Sequence, residues 1–300
     1  MKILGFVLLL ASAMPALSQK KVLVLQSDFG LKDGAVAAMK GVAVSVSPDL
    51  RIFDLTHEIP AYNIWEAGYR LNQTAKFWPE GTVFVSIVDP GVGSSRTSVV
   101  MKSKSGHYFV TPDNGTLTLV AESLKIEEVR VIDEMKNRLS NSYDSYTFHG
   151  RDVYAYTGAR LAAGAISFKE VGPLLKEKLV LLPYSPAESK NGRISGTIDI
   201  LDPQYGNVWT NIPGTMIEKS GVAYGDTVEI RILNKEKEIY SGSVRFDKTF
   251  SAVPEGQPIA YLNSLLTFSI ALNMGDFANA YDVSAGPDWR IEVKPKAKAE

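Results

Sequence analysis

The sequence predicts two domains: an α/β N-terminal domain with a central, mostly parallel sheet, and a smaller all-β barrel C-terminal domain. Three observations carry that expectation. Short apolar, β-branched runs alternate with stretches of helical apolar spacing through the first half of the chain, as strands joined by crossover helices do. A Pro-punctuated segment, GPLLKEKLVLLPYSPAESKNG (172–192), then changes the texture. Beyond it come short strand-like runs between turn residues, as a small barrel or sandwich requires. The expected division is a signal peptide at 1–18, an α/β domain at 19–188 and a barrel at 189–296.

The opening MKILGFVLLLASAMPALS sets one Lys before an apolar run and ends in Ala16, Leu17 and Ser18, the small-x-small pattern of a cleavage site before Gln19. The run is too short to span a bilayer comfortably, so the mature form is expected to be exported and free of the membrane. KVLVLQ (21–26) reads as a strand, and Asp33 is placed to cap a helix running to Val46. RIFDL (51–55) is the next strand, and NIWEAGYRLNQTAKF (63–77) the next helix, with Asn63 and Glu66 as a capping pair. TVFVSIV (82–88) is almost continuously apolar, which suits a strand covered on both faces. TSVVMK, HYFVT and EEVRVI read as shorter strands around a helix at 115–124, with His107 exposed in an SGHY turn. GRDVYAYTGARLAAGA (150–165) reads as one helix starting just after His149. In the second domain RISGTIDILD, GNVWTNI, DTVEIRIL, EIYSGSVRF and PIAYLN are the expected strands.

Composition excludes several classes of function. With 32 Lys and Arg against 33 Asp and Glu, the net charge of −1 offers no broad footprint for nucleic acid or an anionic membrane surface. Zero cysteines remove disulfides, thiolate metal sites and a cysteine nucleophile together.

Ligands of open α/β sheets bind beyond the carboxyl ends of the strands. Polar clusters fall at four such places: Ser27 and Asp28, Asp54 and His57, Asp89, and His149. Singly, Asp28-Phe29-Gly30, Asp89-Pro90-Gly91 and Pro112-Asp113-Asn114-Gly115 are also good turn sequences, and His149 also suits a helix start. Together they carry more, because VDPGVGSSR sets Arg96 seven residues after Asp89 with two glycines between. A His near an Asp and an Arg is a plausible water-positioning group.

SDFG, DLTHEI, FWPEGTVFVSIVDPGVGSSR, TPDNG, TFHGRD and DPQYGNVWTN follow in order the pattern of the S-adenosylmethionine (SAM) hydrolase family, the SAM hydroxide adenosyltransferases, relatives of the fluorinating and chlorinating enzymes. The chain resembles that family over about residues 21–295. The resemblance implies metal-independent hydrolysis of SAM, as substrate and without a cofactor, to adenosine and methionine. It also implies a homotrimer whose sites lie between the N-domain of one subunit and the C-domain of the next. The water-activating group falls on Asp89, Arg96 and His149, where the halogenating relatives carry other residues at the acid and at the His-Gly pair. By the same resemblance Asp28 holds the ribose hydroxyls, Asp202 the methionine ammonium and Ser264 the methionine carboxylate. Asn207 reads the adenine edge, with Tyr205 and Trp209 as aromatic surface around the purine.

Leu265 departs from the pattern, standing where the halogenating relatives place an Arg near the carboxylate. Two alternatives are an exported adenosine- or nucleoside-binding protein on the same fold and a halide-using adenosyl transferase. A metal-dependent phosphoesterase built on Asp28, Asp54, His57, Asp89 and Asn114 lacks the close ligand spacing that such sites show.

Overall fold

The computed structural model describes residues 22–295, so the signal peptide expected at 1–18 lies outside the described residues. The N-terminal sheet has six strands. β1 (Val22–Ser27), β2 (Arg51–Thr56), β3 (Val83–Ile87) and β5 (Tyr108–Pro112) run parallel, while β4 (Ser98–Ser103) runs antiparallel to both β5 and β6 (Ile126–Val131). Their order is β2-β1-β3-β5-β4-β6. β1 and β3 are buried throughout, which explains their unbroken apolar sequence. Leu23 and Leu25 face one layer, with Met39 of α1 (Ala35–Val46) and Leu161 of α4 (Tyr156–Ala163). Val22 and Val24 face the other, with Leu71 of α2 (Ile64–Ala75) and Val120 of α3 (Thr118–Leu124).

Local chemistry sets the helix starts. The Asn63 side chain accepts from the Glu66 N–H at 3.0 Å, and Asp33 Oδ1 accepts from the Ala35 N–H at 2.9 Å. The single helix expected at 150–165 is two pieces: Gly150–Ala155 forms a π-helical turn, and α4 follows it. The helix expected at 115–124 begins only at Thr118.

The C-terminal strands are β8 (Arg193–Leu201), β9 (Val208–Pro213), β10 (Thr227–Asn234), β11 (Lys237–Phe246), β12 (Pro258–Leu262), β13 (Thr267–Leu272) and β14 (Trp289–Pro295), and pairing of β14 with β8 closes them into a barrel. The short strand β7 (Glu188–Lys190) adds to β8 outside the closure. Alternating residues of the strands fill the interior, among them Ile198, Val228, Ile230, Ile232 and Phe268. β13, β14 and the short helices α5 (Gly214–Lys219) and α6 (Phe277–Tyr281) were not anticipated. The domains meet through Trp65 of α2, whose Nε1–H donates to the Asp199 carbonyl at 2.7 Å while Trp65, Tyr69 and Leu119 pack on Ile200.

Candidate active site

The parallel strands β1 and β3 end side by side, and the loops beyond them enclose a cavity of about 250 Å³. Asp28 and Phe29 enter it from the end of β1, Asp89 from just past β3, and Phe148 and Gly150 from the start of the π-helical turn. Three sequence segments separated by about 60 residues each thus meet at one sheet edge.

Arg96 joins the expected residues. Its Nε–H donates to Asp89 Oδ1 at 2.7 Å, one Nη donates to Asp89 Oδ2, and that same Nη lies 3.3 Å from His149 Nδ1. The pair is sheltered, with side-chain exposures of 12% for Arg96 and 6% for Asp89. Burial works against the Arg96 charge, but the bonds to Asp89 outweigh it and hold its pKa above the ordinary value. His149 is only 7% exposed. Its pKa is lowered, first by burial, then by the Arg138 and Arg96 charges, with Glu134 and Asp89 opposing.

Four residues behind Arg96 were not read from the sequence. Its other Nη donates to Ser98 Oγ at 3.0 Å; Ser98 donates to Glu134 at 2.8 Å and lies 3.2 Å from the Tyr154 hydroxyl. Arg138 donates to Glu134 at 3.4 Å. The wider π turn brings Tyr154, five residues after His149, toward the face His149 occupies, where an α-helix would turn it away.

Asp28 accepts the Tyr62 N–H through Oδ2 at 2.9 Å and lines the same cavity as Asp89. His57 is outside the cavity and braces that loop: Nδ1 meets Ser27 Oγ at 2.7 Å, Nε2 meets Asp54 at 3.1 Å, and its carbonyl accepts from the Gly30 N–H at 2.7 Å. Asn114 braces the other wall by donating to the Val88 carbonyl at 2.8 Å. The space beside Gly150 is taken by protein: a Cβ there would lie 3.0 Å from the Phe29 ring. His107 is buried, not exposed, with Nε2 2.9 Å from the Trp78 carbonyl. Among the described residues no group of three or more His, Asp and Glu gathers to hold a metal.

The C-domain residues stand apart from this cavity. Tyr205 and Asn207 line a second one of about 430 Å³, and Asp202 shapes its β8–β9 loop by accepting the N–H groups of Gln204 and Tyr205. Ser264 is exposed on the β12–β13 turn. Trp209 packs at the domain seam and donates to the Tyr261 hydroxyl at 3.2 Å. One chain therefore presents two separate cavities, one lined by N-domain residues and one by C-domain residues.

A doubly covered, mostly parallel sheet carrying a carboxylate–guanidinium–imidazole group at its edge, followed by a closed barrel, defines a two-domain class of α/β-plus-barrel proteins. The SAM hydroxide adenosyltransferase N-terminal domain matches residues 23–172 and the C-terminal domain of the same family matches residues 196–290. The chain belongs to the SAM hydroxide adenosyltransferase family. It is 36% identical to an (R)-S-adenosyl-L-methionine hydrolase of Methanocaldococcus jannaschii, over 71% of this chain and 74% of that one. It is 30% identical to a fluorinase of an Actinoplanes species, covering 91% and 97%. A crystal structure of an uncharacterized conserved protein from Thermotoga maritima superposes with a TM-score of 0.82 at 34% identity, over 91% and 99% of the chains.

Proposed function

We propose that this SAM-processing enzyme is a hydrolase, forming adenosine and methionine, and that Asp89, Arg96 and His149 handle the water. The observation that carries the reading is the Arg96 fork, which grips Asp89 of the cavity wall and reaches His149, whose neighbours Phe148 and Gly150 line the same cavity. Attack at the ribose C5′ expels methionine as a neutral thioether, so the leaving group needs no acid. The demand falls on the nucleophile. Both Asp89 oxygens keep lone pairs after their bonds to Arg96, so the carboxylate accepts a water proton, while the guanidinium stabilises hydroxide-like charge. His149, with Nδ1 turned to Arg96, offers Nε2–H to the same water and orients it. The proton leaves late, because a sulfonium departs without needing full hydroxide, and Asp89 is its acceptor.

A halide fits this wall poorly. Asp89 already takes the Arg96 charge, and a free anion would face the carboxylate across the cavity. Reaction in ¹⁸O-labelled water with chloride present tests the choice: adenosine labelled at the 5′ oxygen is the expected product. A 5′-halogenated nucleoside, or tight nucleoside binding without turnover, overturns it.

That the expected N-domain and C-domain site residues line different cavities of one chain supports a homotrimer that completes each site from two subunits. Mixing inactive His149→Ala and Asp202→Asn chains under subunit exchange is expected to restore part of the activity; none returns if each chain acts alone. Export with cleavage before Gln19 belongs to the same proposal, and N-terminal sequencing of the exported chain tests it.

A further inference from the structure

A third cavity, of about 310 Å³, opens at the domain seam, lined by none of the residues proposed to bind or turn over SAM. Asp199 of β8 enters it from the barrel side. That residue is only 8% exposed, and its Oδ1 is buried without a hydrogen-bond partner among the described residues. A buried, unpartnered carboxyl oxygen costs free energy that a bound donor would recover. The other polar groups on the barrel wall are engaged: Thr210 Oγ1 donates to the Phe268 carbonyl, and Thr267 Oγ1 accepts from Asn263.

The facing wall, α2 and the residue after it, has the opposite surplus. Asn72 Oδ1 accepts from Ser123 and Gln73 Oε1 from Arg70, so each amide keeps an NH₂ group with no acceptor among the described residues. Lys76 stands exposed at the rim, and Leu124 and Leu265 add apolar lining. One wall lacks a partner for a carboxyl oxygen and the other lacks acceptors for its donors, and both line one cavity.

We propose that this seam cavity binds a free α-amino acid with an apolar side chain, its ammonium on Asp199 and its carboxylate on Asn72, Gln73 and Lys76. Two physical facts agree with it. Burial, then the Glu122 charge, pushes the Asp199 carboxyl up to about 8, and an ammonium beside it would offset that by stabilising the carboxylate. The cavity joins α2 to β8, so its occupant touches both domains of one chain. The proposal is independent of the hydrolase reading.

Titration calorimetry of the full chain with L-norleucine, n-pentylamine and hexanoate tests it. L-Norleucine is expected to bind best, and Asp199→Asn to weaken it by roughly 30-fold or more, the loss of a buried charge partner. Lys76→Gln, on an exposed residue whose change leaves the fold intact, is expected to weaken it by about threefold, as an exposed ion pair does. Asp202→Asn is expected to leave this binding in place. No binding to the wild type, n-pentylamine or hexanoate binding as tightly as L-norleucine, or binding lost in Asp202→Asn and kept in Asp199→Asn each overturns the proposal.

Discussion

An Arg96 Nη lies 3.3 Å from His149 Nδ1, and because a guanidinium only donates, that ring nitrogen is an acceptor and the imidazole is neutral. Protonating His149 would set two cations against each other in a buried site. Burial already lowers its pKa below the ordinary 6.5. The expected pH profile of kcat/KM is therefore flat from about pH 8 down through 6.5, falling only as His149 gains a proton below that. A decline centred above 6.5 would refute the neutral-donor role, and measuring the profile with His149→Ala shows whether the acidic limb belongs to this residue.

How far this site was legible follows from where its residues sit. Asp28, Asp89 and His149 stand at the ends of strands or the start of a helix, where polar residues interrupt apolar runs, and sequence marks such places. Ser98, Glu134 and Tyr154 come from three distant segments and meet only in the fold. The π turn depends on the register of backbone bonds, which side-chain pattern does not encode. Asp199 did leave a signal, a lone carboxylate between Ile198 and Ile200 in a barrel strand, but alternation alone gives no reason to bury it. His107 misled because a turn sequence says nothing of where the ring folds back.

Replacing Arg96 by Lys separates charge from geometry. Lys keeps the cation but not a fork that bonds both Asp89 oxygens and reaches His149. We expect Arg96→Lys to lower kcat by roughly 10²-fold with KM changed little, the scale of losing one positioned catalytic group. Steady-state kinetics of Arg96→Lys beside Arg96→Ala checks this. A lysine variant near wild-type activity would show that charge alone suffices.

Gly150 is a packing requirement at the rim of the site. A Cβ there would sit 3.0 Å from Phe29 Cζ and 3.4 Å from Ile87. Gly150→Ala is expected to displace the Phe29 ring, which lines the cavity with Asp28, so KM is expected to rise along with a destabilisation of about 1–2 kcal/mol from overpacking. Thermal unfolding and KM read the two effects. Unchanged KM with lost stability would mean that the ring moves away from the cavity instead.

Asp199 makes a stability prediction that stands whether or not anything binds beside it. Its carboxyl titrates near 8 in the fold against 3.8 for the free group, so between those values the folded state holds a proton that the unfolded chain has released. Stability therefore falls as pH rises from about 4 to 8 and levels off above. The full shift corresponds to a ceiling of about 6 kcal/mol, at about 1.4 kcal/mol per unit, and water entering the cavity lowers it. Asp199→Asn removes the titration while keeping the shape. The variant is expected to match the wild type near pH 4 and to exceed it by roughly 1–3 kcal/mol at pH 8.5 in denaturant unfolding, within the range for burying a polar group without a partner. A difference independent of pH would show that the carboxyl finds a charge partner in the fold.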